Sequence, residues 1–181
     1  MNNPKTKYVI LGLLSEGNLT GYEMKKIIDI RFSFFWNESY GQIYPQLKRL
    51  AREGLIGMEA EAAGKRKKIT YSLTDPGKRE LVEWLREPAE KESVRFELLL
   101  KMYFSNLVDA GIIKTQVKDF MENHVKQLKI LDLFQKELES IPDDGNHRDI
   151  LRIIDFGQRV YKAYIEWCGE TIDYLERRDL K

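Results

Sequence analysis

The stretch S-Y-G-Q-I-Y-P-Q-L-K-R-L-A-R-E-G, Ser39 to Gly54, has two unlike faces at helical spacing. Ile43, Leu47 and Leu50 recur three and four residues apart and form one apolar stripe, and Gly54 is a stop signal just beyond it. At roughly 100° of turn per residue, Gly41, Pro45, Lys48 and Arg52 fall opposite the stripe, with Gln42 and Arg49 on its flank. A proline deep in a helix costs about 3 kcal/mol, so Pro45 limits where this helix begins. The regular helix is expected from near Gly41. Its outer face is small and basic: Gly41 admits a close phosphate, Gln42 can read a base edge, and Lys48 and Arg49 reach bases or phosphates.

Upstream, Lys5 to Ser15 carries Tyr8, Val9, Leu11, Leu13 and Leu14 before Gly17, which reads as a short buried helix. Thr20 and Glu23 have the spacing of a capping box, and Tyr22, Met24, Ile27, Ile28 and Ile30 continue a second helix to about Phe32. Downstream the period changes to two. Leu55 to Ala62 and Lys67 to Leu73 read as strands, with Ile69, Tyr71 and Leu73 on one face and Lys68, Thr70 and Ser72 on the other. Gly64 and Lys65 form the tip. Thr74-Asp75-Pro76 then starts a helix that runs to Arg86.

Three helices followed by a hairpin make a winged helix-turn-helix, in which the third helix enters the major groove and the wing touches the flanking backbone. Lys65-Arg66-Lys67-Lys68 places four consecutive cations where that wing meets DNA. Taken singly, these charges are also what a solvated helix face or a protected strand edge displays. Their coincidence at the two places a winged helix uses favours DNA. Tyr22, Tyr40 and Tyr44 can donate hydroxyls to phosphates or serve as core.

After the polar stretch Glu87 to Glu92 only helices are expected. Val94 to Leu107 is strongly apolar, Ile113 to Leu138 has helical periodicity, and Pro142 to Gly145 turns the chain. The last helix, Asp149 to Leu175, shows two stripes. One holds Ile150, Ile153, Gly157, Tyr161, Tyr164, Cys168 and Ile172, the other Phe156, Val160, Ala163, Trp167 and Tyr174. A helix apolar on two faces needs two partners, here its long neighbour and either a second subunit or a ligand pocket. The expected architecture is mainly α: a winged-helix domain over residues 1–86 and an all-helical dimerisation domain over 87–181.

The net charge of +1 over 181 residues conceals an asymmetry. Residues 1–86 hold 15 Lys and Arg against 10 Asp and Glu, whereas the remainder hold 15 against 19. The first half is therefore the better partner for a polyanion. No apolar run approaches the roughly 18 residues that span a bilayer, and the first residues lack a secretory signal, so no membrane association and a cytoplasmic location are expected. A single cysteine, Cys168, offers no disulfide framework or cysteine-rich zinc site. The two histidines, His124 and His147, lie in no hydrolase, metalloprotease or phosphate-loop motif, which argues against an enzyme. No cofactor and no metal are expected.

The sequence resembles the PadR family of bacterial transcriptional regulators over nearly its whole length. The resemblance rests on Y-V-I-L-G-L-L-S-E-G (Tyr8 to Gly17), T-G-Y-E-M (Thr20 to Met24), the Ser39 to Ile56 run, Y-S-L-T-D-P-G-K (Tyr71 to Lys78), R-F-E-L-L-L-K-M-Y-F (Arg95 to Phe104) and Y-I-E-W-C (Tyr164 to Cys168). It implies a homodimeric repressor, less often an activator, on an inverted repeat in promoter DNA, and in many members a small, sometimes phenolic, effector that releases it. It also implies DNA contacts at Tyr22, Ser39, Gly41, Gln42, Tyr44, Lys48, Lys65 and Arg66. The wing reads G-K-R-K-K where the family commonly has a proline. Phe156, Val160, Tyr161, Ala163, Tyr164, Trp167 and Tyr174 are the candidate effector or dimer-interface residues. A winged-helix adaptor that binds protein instead of DNA is the competing expectation.

Overall fold

The structure, a computed structural model, describes residues 5–63, 66–143 and 145–179. The chain divides into two compact units, Met1–Lys91 and Glu92–Lys181, and each has its own apolar core.

The first unit is the winged helix that the order of elements implies, with one addition. Its elements are α1 (Thr6–Glu16), β1 (Leu19–Thr20), α2 (Gly21–Ile27), a π-helical turn (Ile28–Phe32), α3 (Tyr40–Arg52), β2 (Ile56–Ala63), β3 (Arg66–Leu73) and α4 (Asp75–Arg86). The sheet is antiparallel in the order β1-β3-β2, with Tyr71 paired to Leu19 on one side and Met58 on the other. Two residues are too few to show alternation, so the sequence gives no sign of β1. Thr20 must be extended to cap α2, and that same conformation lets it pair with Thr70. The capping box is complete, with Thr20 Oγ1 accepting the Glu23 N–H at 3.2 Å and Glu23 Oε2 accepting the Thr20 N–H at 2.8 Å.

The regular second helix stops at Ile27, short of the expected Phe32, because the chain widens into the π turn. The extra residue per turn keeps Ile28 in the core while Phe32 packs at its edge. β2 starts at Ile56, not Leu55, because Leu55 is used to close α3: its N–H donates to Leu50 O at 3.0 Å and its carbonyl accepts the Thr74 hydroxyl at 2.8 Å. Gly54 makes this possible with a φ of +72°. The expected stripe of Ile43, Leu47 and Leu50 is fully buried with Ile10, Leu13, Met24 and Ile28. Burial of each such side chain is worth roughly 1.5–3 kcal/mol, so α3 is fixed from beneath and keeps its opposite face outward.

The second unit holds α5 (Glu97–Tyr103), a 3-10 turn (Ser105–Leu107), α6 (Ala110–Glu139) and α7 (His147–Asp179). The two long helices pack along each other. The buried row of α7 is Ile154, Gly157, Tyr161, Cys168, Thr171 and Leu175, which corrects the expected stripe: Ile153 is on the surface and Ile150 and Ile172 are half-buried. The expected positions follow a period near 3.67 residues, but the seam of a long helix pair selects 3.5.

Candidate nucleic-acid interface

The start of α3 is tied by its own side chains. Gln42 Oε1 accepts both the Ser39 N–H at 2.9 Å and the Ser39 hydroxyl at 2.8 Å. The carbonyl oxygen of Gln42 is therefore engaged at the helix start, and its amide nitrogen remains to donate outward. The helix begins at Tyr40, one residue ahead of the expected Gly41, with Ser39 at its cap. Pro45 sits on the exposed face and, lacking an N–H, leaves the Gly41 carbonyl without its usual helical donor.

All three tyrosines whose role the sequence left open are on the surface: Tyr22 is 63% exposed, and Tyr40 and Tyr44 are exposed too. None is core. Tyr40 and Tyr44 stack with centroids 6.0 Å apart, and Lys25 Nζ lies 5.7 Å from the Tyr40 ring centre. Lys25 also pairs with Asp29. This lysine escaped the sequence reading because it lies on α2, outside the basic run of α3. Gly21 escaped it as well, although T-G-Y-E-M displays it.

The cations differ in how freely they are held. Lys48 is exposed and has no ion pair among the described residues. Arg49 Nε donates to Glu53 Oε1 at 2.7 Å, a bond that raises the guanidinium pKa, so a phosphate must compete with this carboxylate. Lys68 Nζ stands 3.8 Å from Glu23 Oε1, between the wing and α2. Lys65 lies outside the described residues, and Arg66 and Lys67 are placed by backbone alone, at the start of β3 opposite Ala63 and Ala62.

In the second unit the expected effector or interface residues separate. Tyr161 is buried in the α6–α7 seam, where burial and the neighbouring Tyr164 push its phenol pKa up. Val160, Tyr164 and Trp167 are half-buried, Ala163 is exposed, and Phe156 and Tyr174 are 62% and 57% exposed. Tyr164 meets Phe96 and Phe120 at centroid distances of 5.5 and 5.9 Å, and His124 packs on Phe120 at 4.1 Å with Nδ1 2.7 Å from the Phe120 carbonyl. A hollow of about 190 Å³ opens between Phe96, Leu99, Phe120, Tyr164 and Trp167. Cys168 is buried, which pushes its thiol pKa up.

Among the described residues no helix is long and apolar enough to cross a membrane, and no three His, Cys, Asp or Glu side chains are grouped to hold a metal.

The sequence profile of the PadR-like transcriptional regulator family matches residues 10–83, and that of the virulence activator alpha C-terminal region matches residues 94–176. The negative transcriptional regulator PadR of Bacillus subtilis is 32% identical over 183 residues, covering 94% of this chain and 97% of that protein. A PadR-like transcriptional regulator from Bacillus cereus superposes with a TM-score of 0.80 at 30% identity, covering 96% and 99% of the two chains. B. subtilis PadR in complex with operator DNA gives a TM-score of 0.78 at 30% identity over 93% and 98%. The same protein in complex with p-coumaric acid gives 0.72 at 28% over 94% and 98%.

Proposed function

This chain belongs to the PadR-like family of transcriptional regulators, and on that premise we propose that it is a homodimeric repressor that binds a pseudo-palindromic operator and is released by a small planar effector. The observation that carries this reading is the outer face of α3. It offers Gly41, Tyr44 and Lys48, which has no ion pair among the described residues, in one row, with Tyr22 of α2 also exposed, above a helix locked from beneath by Ile43, Leu47 and Leu50. Such a face can enter a major groove without rearrangement.

In this reading residues 1–86 bind DNA and residues 87–181 join the subunits. Tyr22, Tyr40 and Tyr44 give hydroxyls to phosphates, Lys48 and the Gln42 amide reach base edges, and the wing cations Lys65 to Lys68 hold the flanking backbone. The row of exposed Phe156, Ala163 and Tyr174 with half-buried Val160 and Trp167 packs against the second subunit. Two-fold symmetry then sets the recognition helices roughly 34–36 Å apart, one helical turn of DNA. The effector is flat and aromatic, as suits hollows walled by aromatic rings, and the p-coumaric acid complex of B. subtilis PadR supports that class. The protein acts in the cytoplasm, where promoter DNA is, and performs no chemistry of its own.

Selection of duplexes from a random library by the purified full-length chain tests this. An enriched inverted repeat with half-sites one turn apart is expected. Recovery without enrichment would instead favour the protein-binding adaptor.

A further inference from the structure

Glu38 is 1% exposed, yet it is a carboxylate one residue ahead of the cap of α3. Thr6, the first residue of α1, has its hydroxyl 3.0 Å from both carboxylate oxygens and donates to one of them. The indole N–H of Trp36 donates to Oε1 at 2.8 Å. A buried carboxylate held by directed donors is stiff, because letting go of any donor leaves charge without compensation. The start of the recognition helix is thus fastened to the start of α1 through one side chain.

Trp36 has a second occupation. Its ring is a wall of a hollow of about 280 Å³ inside the first unit, shared with Tyr8 and Gly12 of α1, Phe32 and Phe35 after α2, and Trp84 of α4. Tyr8 and Trp84 stack at 4.5 Å with planes 7° apart, which makes the α1–α4 side rigid. The charged residues on the wall, Lys5 and Glu16, are ion-paired with Glu90 and Arg31. The hollow therefore offers mainly aromatic faces; Leu13 on its wall packs beneath α3, and Trp36 is tied to the start of α3 through the hydrogen bond to Glu38.

We propose that Thr6, Glu38 and Trp36 form a strut that converts filling of this hollow into displacement of the start of α3. A planar aromatic body entering the hollow pushes on the Trp36 ring. The indole N–H leaves Glu38, and Ser39, Gly41 and Tyr44 lose the alignment that operator contact requires. The inference rests on the DNA-binding reading and adds to it the route by which an occupant acts. Coupling of this kind needs two arrangements of one element that both sites bias, and the segment from Trp36 to Ser39 is that element.

The hollow can be filled without any ligand. Gly12 lies on its wall, and a Cβ built there meets nothing within 4 Å. Gly12→Trp places a planar ring in the hollow, and Gly12→Ala is the control that gains helix propensity without filling. Operator affinity is measured by anisotropy on the selected duplex, with thermal melts to show that each protein is folded. Gly12→Trp is expected to bind operator about tenfold more weakly than Gly12→Ala, within the usual 5–150-fold span of allosteric coupling. In a Trp36→Phe background, which keeps a ring but deletes the N–H, the same filling is expected to change affinity less than about twofold. Should Gly12→Trp fail to fold, Gly12→Leu takes its place. Equal affinities for the filled and control proteins, or an undiminished loss in the Trp36→Phe background, would overturn the strut. A wild-type chain without operator preference would overturn the DNA-binding reading and the strut together, and it is recognised before any variant is made.

Discussion

The ring of Tyr44 rests against the bare Cα of Gly21: a Cβ at position 21 would come within 2.8 Å of Tyr44 Cε1 and 3.1 Å of Leu47 Cδ1. The first residue of α2 thereby seats an exposed tyrosine of α3. Gly21→Ala obliges that ring to swing outward, which a surface side chain does at little cost to the fold, and the buried Leu47 to give by a few tenths of an ångström. Operator affinity is expected to fall about tenfold, equivalent to about 1.4 kcal/mol, while the melting temperature stays near that of the wild type. Anisotropy titration and circular dichroism measure the two quantities.

Lys48 is an exposed cation of α3 that no acidic side chain holds among the described residues. Lys48→Ala is expected to cost about 1–3 kcal/mol on the operator and to relax the preference at one base position. An equal loss on every duplex, with the salt slope lowered by about 1, assigns it to a phosphate.

A Cβ on Gly77 would lie 2.0 Å from the Leu55 carbonyl oxygen, which is backbone and cannot swing aside. The Thr74 hydroxyl donates to that same carbonyl. Gly77→Ala is expected to destabilise the first unit by about 1–3 kcal/mol, as overpacking does. Thermal unfolding checks it, and an unchanged midpoint would show that α4 is free to move off the α3–β2 corner.

Glu23 links stability to pH. Its hydrogen bonds from the Thr20 backbone and side chain, and then the charge of Lys68, hold its carboxyl below the ordinary 4.5. A carboxylate depressed on folding contributes stability that is complete above its unfolded pKa and is lost as pH falls through the folded value. The gap in melting temperature between wild type and Glu23→Gln is therefore expected to be constant at neutral pH and to close below about pH 4.5. A gap that persists in acid would show that the carboxylate charge is not what stabilises the cap.

Phe156 and Tyr174 leave more than half their surface open on α7. The double substitution Phe156→Ser and Tyr174→Ser is expected to weaken self-association by at least about 2 kcal/mol, the level that marks an interface hot spot. Sedimentation equilibrium reads it, and a dimer of unchanged strength would place the interface elsewhere.

Much of this molecule was legible because local signals and global fold agree. The Ile43–Leu47–Leu50 stripe, the Thr20–Glu23 cap and the Thr74-Asp75-Pro76 start each announce an element that the structure contains. The failures share a cause, which is that tertiary partners chose among near-equal local options. Thr20 doubles as a strand because β3 passes beside it, and Ile154 replaces Ile153 on the seam because α6 runs alongside α7. The candidate interface was visible as charge on α3 and the wing. The Gly21 seat, the Arg49–Glu53 pair and the Glu38 strut each join residues whose relation depends on folded geometry, and Glu38 in isolation reads as one more surface acid.

In the proposed reading, the first unit reads DNA sequence through α3. Anisotropy titration of the full chain against its own upstream promoter duplex and a scrambled duplex, at two salt concentrations, decides it. A strong preference for the promoter is expected and, for about four neutralised phosphates per subunit, a slope near −3.6 in log affinity against log salt. Equal binding of the two duplexes, or binding indifferent to salt, would contradict it.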